Sequence, residues 1–505
     1  MKQRFTLWTL IGSSVALMAA AMLIGGCGGG GGAGAAPPGP SASFLGLLPV
    51  GQKGAKLVGS EKCGECHNVP DEPALAKSRV IGGGVYDHWQ NTVHALKGVG
   101  CESCHGPGST HVASAEAHET EDVIKSNILI FPNITSAIVC EQCHSGAAGR
   151  SLVQHDEWVQ SKHREMVADA GAGGSSTCMR CHNSEFKVEI VDRGLIGTVF
   201  AGQLALFAQR AKDELAAGDP QQLATSATCS ACHDPHDPTG YMVDEEGKDL
   251  QIRRAPFVAP DDTAQLALIG PGASVDQYTS FNHICAQCHN GRGADGRDAK
   301  LTSSTSRPGM HDSPQFNMLI GLKDSAWEAS GGPIVRFTAH AEAEDQCIHC
   351  HMIDGPGQHS FVANMEACAP CHTPTDATNR RSVTQDDITT KLLALRQRLD
   401  NWGISIDGNR LHWQYSSAEF GGPADQSNTN IPLAIKRARN NYYYVVRDAS
   451  FGVHNAGYAR YLIDVANAQL DSLRVASVTI PVTRGRSLAD IRAQMVKEAK
   501  KGGGE

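Results

Sequence analysis

Apolar residues in this chain fall at helical spacing, and only in a few places. Phe200, Leu204, Phe207, Ala211 and Leu215 recur every three to four residues, and Gly218-Asp219-Pro220 ends that stretch. Ile388, Leu392, Leu395 and Leu399 form a second stripe, with Asp386 or Asp387 as its candidate cap. Leu462, Ala466, Leu470 and Leu473 form a third. Such stripes are packing faces. No long alternation of apolar and polar positions marks a large sheet. The pattern predicts a mainly α fold with extensive loops and little sheet.

The one unbroken apolar run, Leu7 to Ile24, follows the basic start Met1-Lys2-Gln3-Arg4 and leads into Ile24-Gly25-Gly26-Cys27. Residues 1–26 read as a lipoprotein signal peptide and Cys27 as the residue that receives the lipid anchor. A retained membrane span is the alternative, since the run is nearly long enough to cross a bilayer. Gly28 stands where an aspartate would argue for inner-membrane retention, so an outer membrane lipoprotein on the periplasmic or cell-surface face is expected. Residues 27–58 are rich in Gly, Ala and Pro and read as a tether.

Composition sharpens the picture. Only 6% of residues are aromatic and 54 of 505 are Gly, a thin supply for a side-chain core of this length. The cysteines say what replaces it. All but one of the 17 lie in Cys-x-x-Cys-His motifs: Cys63, Cys66 and His67; Cys101, Cys104 and His105; Cys140, Cys143 and His144; Cys178, Cys181 and His182; Cys229, Cys232 and His233; Cys285, Cys288 and His289; Cys347, Cys350 and His351; Cys368, Cys371 and His372. This is the signature of c-type haem attachment. Two thiols on one turn add to the two vinyl groups of a porphyrin, and the adjacent imidazole ligates its iron. A zinc site or a redox disulfide needs no histidine at that position. Eight covalently bound haem c groups are expected, and their flat apolar faces supply the missing core.

The motif histidines from His67 to His182 are spaced 38, 39 and 38 residues apart, and later gaps are irregular. A constant early period suggests a repeated one-haem unit. Trp89-x4-His94 matches Trp158-x4-His163, and Gly106-Pro107-Gly108-Ser109-Thr110-His111 is echoed by Gly355-Pro356-Gly357-Gln358-His359. Residues 59–375 are expected to be the octahaem-binding body. Residues 376–505 are read as a helical C-terminal region packing on it, with a separate domain as the alternative.

Ligand arithmetic separates carrier from catalyst. Of 22 histidines, eight end the motifs. Eight others sit in ligand-like contexts: His94, His111, His163, His236, His311, His340, His359 and His454. His236 lies too near its own motif to cap the same haem and is expected to reach an adjacent one. His88, His118, His155, His283, His349 and His412 lack comparable context and are read as ordinary histidines. Sixteen imidazoles fill both axial positions of eight irons, leaving no open site for substrate.

Leader removal takes the formal charge from −9 to −11. Nucleic acid is therefore excluded as a partner. Other redox proteins or extracellular electron acceptors remain.

The stretch Cys101 to His111 and Gly452-Val453-His454-Asn455 resemble multihaem cytochromes related to the tetrahaem carrier of bacterial ammonia oxidation and to hydroxylamine oxidoreductase. The lipobox and haem count are similar to those of outer-membrane cytochromes of metal-reducing bacteria. The resemblance implies stacked and perpendicular haem pairs of low potential. Nitrite reductases of that superfamily usually carry lysine in place of one motif histidine, whereas every motif here ends in histidine. The expected function is electron transfer at the outer membrane or cell exterior, without substrate chemistry of its own. Two alternatives stay open: an oxidoreductase with one uncapped haem acting on a small nitrogen or sulfur compound, and a self-associating filament subunit.

Overall fold

The computed structural model describes residues 40–68, 84–130, 133–146, 152–166, 175–192, 201–217, 225–244, 246–256, 283–291, 295–302, 313–322, 325–330, 338–352, 358–369, 371–415, 430–479 and 481–501. The leader, Cys27 and His311 lie outside them. The described residues are mainly helical, and two isolated bridges, His233 with Ile252 and Val243 with Asp249, are their β-pairing. None of the described helices is long and apolar enough to cross a membrane.

The chain divides into two compact units, residues 1–255 with 354–362 and residues 256–353 with 363–505. Neither unit boundary coincides with the one expected near residue 375. The last three motifs share a unit with the C-terminal helices.

In the first unit the motifs ride on short helices: Ser60–His67, Cys101–His105, Ala137–His144, Ser176–His182 and Cys229–Cys232. Its side-chain core is a set of small clusters. Phe44, Leu48, Leu129, Ile138 and Val139 form one, and Met179, Phe186, Ile190, Val191 and Phe207 another. The helix over Ala201–Ala217, α1, buries Phe207 and Ala211 as its stripe requires, while Leu215 at the end of the stripe is exposed.

The tether expectation fails from Ser41 onward. Ser41 caps a helix over Ala42–Leu47 by accepting from the Phe44 amide, and Phe44 is buried. Gln52 is also buried, donating its Nε2 to the carbonyls of His105 (2.7 Å) and Pro107 (3.0 Å). A scatter of single apolar residues among small ones concealed this docking.

The second unit carries its motifs on Cys285–Gln287, Cys347–His351 and Met365–Cys368. Four long helices follow: α2 (Pro374–Asp407), α3 (Leu433–Asp448), α4 (Ala456–Ser472) and α5 (Leu488–Lys501). They build a conventional core in which Ile388, Leu392, Leu395, Leu399, Leu462, Ala466 and Leu470 are fully buried, as both stripes require. Each buried leucine contributes roughly 2 kcal/mol.

The expected caps of the second stripe are overturned. Helix α2 starts at Pro374, with Thr373 Oγ1 accepting from the Asp376 amide at 3.2 Å. Proline suits the first helical position because its missing N–H has no helical partner there. Asp386 and Asp387 lie inside the helix and pair with Arg492 (2.7 Å) and Arg460 (2.8 Å). The first turns of α2 are polar, so hydrophobic spacing could not reveal them.

Candidate haem-binding sites

A Cys-x-x-Cys-His segment wound as helix puts its two thiols on one face, one turn apart, and presents the histidine beside them. The first four motifs and the seventh adopt this form. Glu102, inside the second motif, ties its neighbourhood together. Its carboxylate accepts from the amides of Val58 (2.9 Å), Gly59 (2.9 Å) and Gly108 (2.8 Å). Gly106 follows His105 with φ +74°, and a Cβ there would lie 2.7 Å from both Gln52 Nε2 and Leu48 Cδ2. The turn after the motif thus needs glycine on two grounds.

Two imidazole nitrogens bound to one metal at about 2 Å each hold their ring centroids about 6 Å apart. Among the described residues, five pairs of histidines meet that condition. His67 faces His111 at 6.4 Å, His94 faces His144 at 6.2 Å and His105 faces His236 at 6.0 Å. His233 faces His359 at 6.3 Å, and His351 faces His454 at 6.5 Å. Each pair joins one motif histidine to one of the additional candidates. The ring planes are near-parallel at 17°, 22° and 24° for the pairs of His67, His105 and His233, and near-perpendicular at 78° for His94 with His144.

The other ring nitrogen tells the same story. A metal-binding imidazole normally donates its Nδ1–H to a fixed acceptor, which leaves Nε2 for the metal. Backbone carbonyls lie beside Nδ1 of His105 (Leu129, 2.7 Å), His111 (Ile124, 3.0 Å), His182 (Met166, 3.0 Å), His233 (Leu250, 2.8 Å) and His340 (Val453, 2.9 Å). Glutamine carbonyls serve His144 (Gln154, 3.4 Å) and His289 (Gln315, 3.2 Å). Burial pushes His105 and His359 down to about 4 and lowers His67, His94, His233 and His289, so these rings stay neutral. His454 differs: burial pulls it down, but the Asp448 carboxylate, 2.6 Å from Nδ1, more than compensates and raises it. The residues present therefore fit haem.

The tryptophan repeat is built the same way twice. Thr92 and Ser161 donate their hydroxyls to the carbonyls of Trp89 (2.7 Å) and Trp158 (2.8 Å), turning the chain so that His94 and His163 follow on a new helical turn. His163 packs edge-on against Phe361 at 4.2 Å. The six histidines set aside have other surroundings. His88 meets Asp237, His118 the Glu116 carbonyl, His349 the Ala367 carbonyl and His412 Asp407. His155 is buried against Trp158, and buried His283 accepts from the Ala286 amide. His283 also joins Cys285 and Cys347 in the one cluster compact enough for a metal ion among the described residues, but both thiols belong to attachment motifs.

Thiols of different motifs approach each other. Cys63 contacts Cys101, Cys140 contacts Cys229, and Cys285 contacts Cys347. Cys350 also senses the charge of Cys368. Attachment points thus meet in the order first–second, third–fifth and sixth–seventh, which departs from chain order in the first unit. Gln52, Gln315 and Asp448 lie in no motif, and only the structure brings them to these sites, as it alone reveals the amides that Glu102 binds.

No known family model matches the chain. It is 24% identical over 389 residues, 72% of its length, to the C-type polyheme cytochrome OmcC of Geobacter sulfurreducens, covering 43% of that protein. It is 26% identical over 172 residues to OmcB, another C-type polyheme cytochrome of that species, covering 34% of this chain and 18% of the relative. The chain thus spans less than half the length of these curated relatives. Two solved structures align at a TM-score of 0.44. One is an undecaheme cytochrome from the S-layer of Carboxydothermus ferrireducens (20% identity, 75% of this chain, 51% of that one), and the other the outer cell wall cytochrome OcwA (18% identity, 74% and 70%).

Proposed function

We propose that this multihaem c-type cytochrome is an electron conduit holding eight covalently bound haem c groups, each capped by two of its own histidines. The observation that carries the reading is the set of five histidine pairs at 6.0–6.5 Å. They support His111 as the partner of the first motif, His236 of the second, His94 of the third, His359 of the fifth and His454 of the seventh. In the first unit, elimination leaves His163 for His182. In the second, His311 and His340 remain for His289 and His372.

Haem, when bound, supplies one-electron chemistry. The polypeptide supplies the rest. The paired imidazoles would hold each haem from two sides and would keep small molecules off its metal. Fixed Nδ1 acceptors hold the rings of His105, His111, His144, His233 and His454 in one tautomer and orientation. Thiol contacts between motifs bring attachment points of different sites together, as hopping between neighbouring centres requires.

The lipobox at Cys27 supports an outer membrane lipoprotein working on the periplasmic or cell-surface face. Other multihaem cytochromes or an extracellular acceptor are the partners this placement suits.

The test is spectroscopic. Intact mass should report eight haems per chain, and carbon monoxide added to the reduced protein should leave its spectrum unchanged. A stoichiometric high-spin, carbon-monoxide-binding haem in the purified protein would replace the conduit with a reactive centre.

A further inference from the structure

The candidate ligands differ in what holds the ring nitrogen turned away from the metal. Backbone carbonyls or glutamine oxygens serve most of them, and these are neutral acceptors. A carboxylate lies near His372, but Asp376 is 43% exposed, 3.4 Å away, and also binds Arg380 at 2.7 Å. Water and the guanidinium both weaken its influence. Glu157 stands 4.0 Å from His359 Nδ1, too far for a hydrogen bond.

His454 is different. Asp448 Oδ1 lies 2.6 Å from its Nδ1, and the Asp448 side chain is completely buried. Ser450 fixes the other carboxylate oxygen through its hydroxyl and its amide (3.3 Å), and the same hydroxyl accepts from the His454 amide at 3.2 Å. Among the described residues no lysine or arginine pairs with Asp448. It is also the last residue of the sixteen-residue helix α3, where the helix dipole adds negative potential. Ala449 (φ +60°), Phe451 (φ +52°) and Gly452 (φ +91°) bend the chain back so that His454 returns beside it.

We propose that Asp448 is a positioning residue that sets a potential: by holding Nδ1 of His454 against a buried negative charge, it makes the site of His351 and His454 harder to reduce than its neighbours. A carboxylate on Nδ1 gives the imidazole imidazolate character, and the stronger donor stabilises ferric over ferrous iron. Gln315 links this device to the adjacent site. Its Oε1 lies 3.2 Å from His289 Nδ1, while its Nε2 donates to the Asp448 carbonyl at 3.4 Å. The proposal rests on the reading that His351 and His454 cap one iron.

The experiment is a potentiometric titration of the full-length holoprotein and its Asp448→Asn variant, followed by optical and electron paramagnetic resonance spectra. One component, about one-eighth of the absorbance change, should move positive by at least about 59 mV, a tenfold change for one electron. The remainder should not move, and every haem should stay low-spin. Ser450→Ala, which frees the carboxylate from a competing donor, should move the same component the other way. That variant also serves if Asp448→Asn fails to mature. An unshifted component in either variant, or a high-spin haem in Asp448→Asn, would overturn the proposal. His454→Ala tests the underlying reading separately. A single new high-spin haem supports the ligation, and an unchanged low-spin spectrum removes it regardless of the titrations.

Discussion

The imidazoles of His105 and His236 face each other with centroids 6.0 Å apart and planes 22° from parallel, although 131 positions separate them in the chain. His236 stands three residues after the motif histidine His233, yet it turns to a different motif. Asp234 makes this possible. Its Oδ1 accepts from the His236 amide at 3.1 Å and its Oδ2 binds Arg253 at 2.9 Å, fixing the turn between the two histidines.

Replacing His236 with alanine should uncap the iron of the second motif alone. The reduced variant should bind one carbon monoxide per chain, read as a Soret change of about one-eighth amplitude, while the other sites stay silent. Binding at no site, or at several, would refute the assignment.

The 78° angle between His94 and His144 predicts a distinct magnetic signature. Perpendicular axial imidazoles make the low-spin ferric signal strongly anisotropic, whereas near-parallel rings give ordinary rhombic spectra. The oxidised protein should therefore show a large-g component. His94→Ala should abolish it and leave the rhombic signals of the near-parallel pairs in place.

Haem attachment was legible in the sequence because covalent chemistry demands a contiguous motif. The proposed distal partners could be read only as a set of candidates. Local context such as Trp89-x4-His94 marks a histidine presented on a turn, but pairing depends on contacts such as that of His67 with His111, 44 residues away. The apolar stripes of α2 and α4 could be read because conventional packing imposes helical spacing. The start of α2 could not, since its first turns pack little. Docking of the segment from Ser41 to Val58 was hidden for another reason: it depends on Gln52 and Glu102, whose roles are hydrogen bonds to backbone groups distant in sequence.

Arg398 anchors the C-terminal core in a way no stripe reveals. It is 3% exposed and donates to the Asn467 side chain (2.8 Å), to Asp471 (2.6 Å) and to the Val475 carbonyl (2.7 Å). These groups cluster at the end of α4, where helix carbonyls lack partners. Arg398→Met should destabilise the second unit by about 2–3 kcal/mol. Denaturant unfolding monitored by tryptophan fluorescence reads this, and an unchanged midpoint would count against the network.

Gly106→Ala should strain the turn after the second motif, since φ +74° disfavours a side chain and the new Cβ meets Gln52 and Leu48 at 2.7 Å. A cost of more than about 1 kcal/mol is expected. Gly240, with φ +70° but open space around it, supplies the control. Its alanine variant should lose less in thermal unfolding, and equal losses would show that the crowding is immaterial.

Chemical removal of the haems should affect the two units unequally. Among the described residues the first unit holds small apolar clusters, whereas α2–α5 share a continuous side-chain core. Limited proteolysis of the stripped protein should degrade the first unit and leave a fragment beginning near Thr373. Uniform digestion would mean that the C-terminal core also depends on porphyrin.

The second motif is flanked by His94 on one side and His111 on the other, and these face His144 and His67. On the proposed pairing, deleting that one repeat would deprive two neighbours of their caps along with its own haem. A lineage of such proteins cannot gain or lose single modules here as freely as a repeat architecture ordinarily permits. Repeat number in this half of the molecule should therefore change in interlocked blocks.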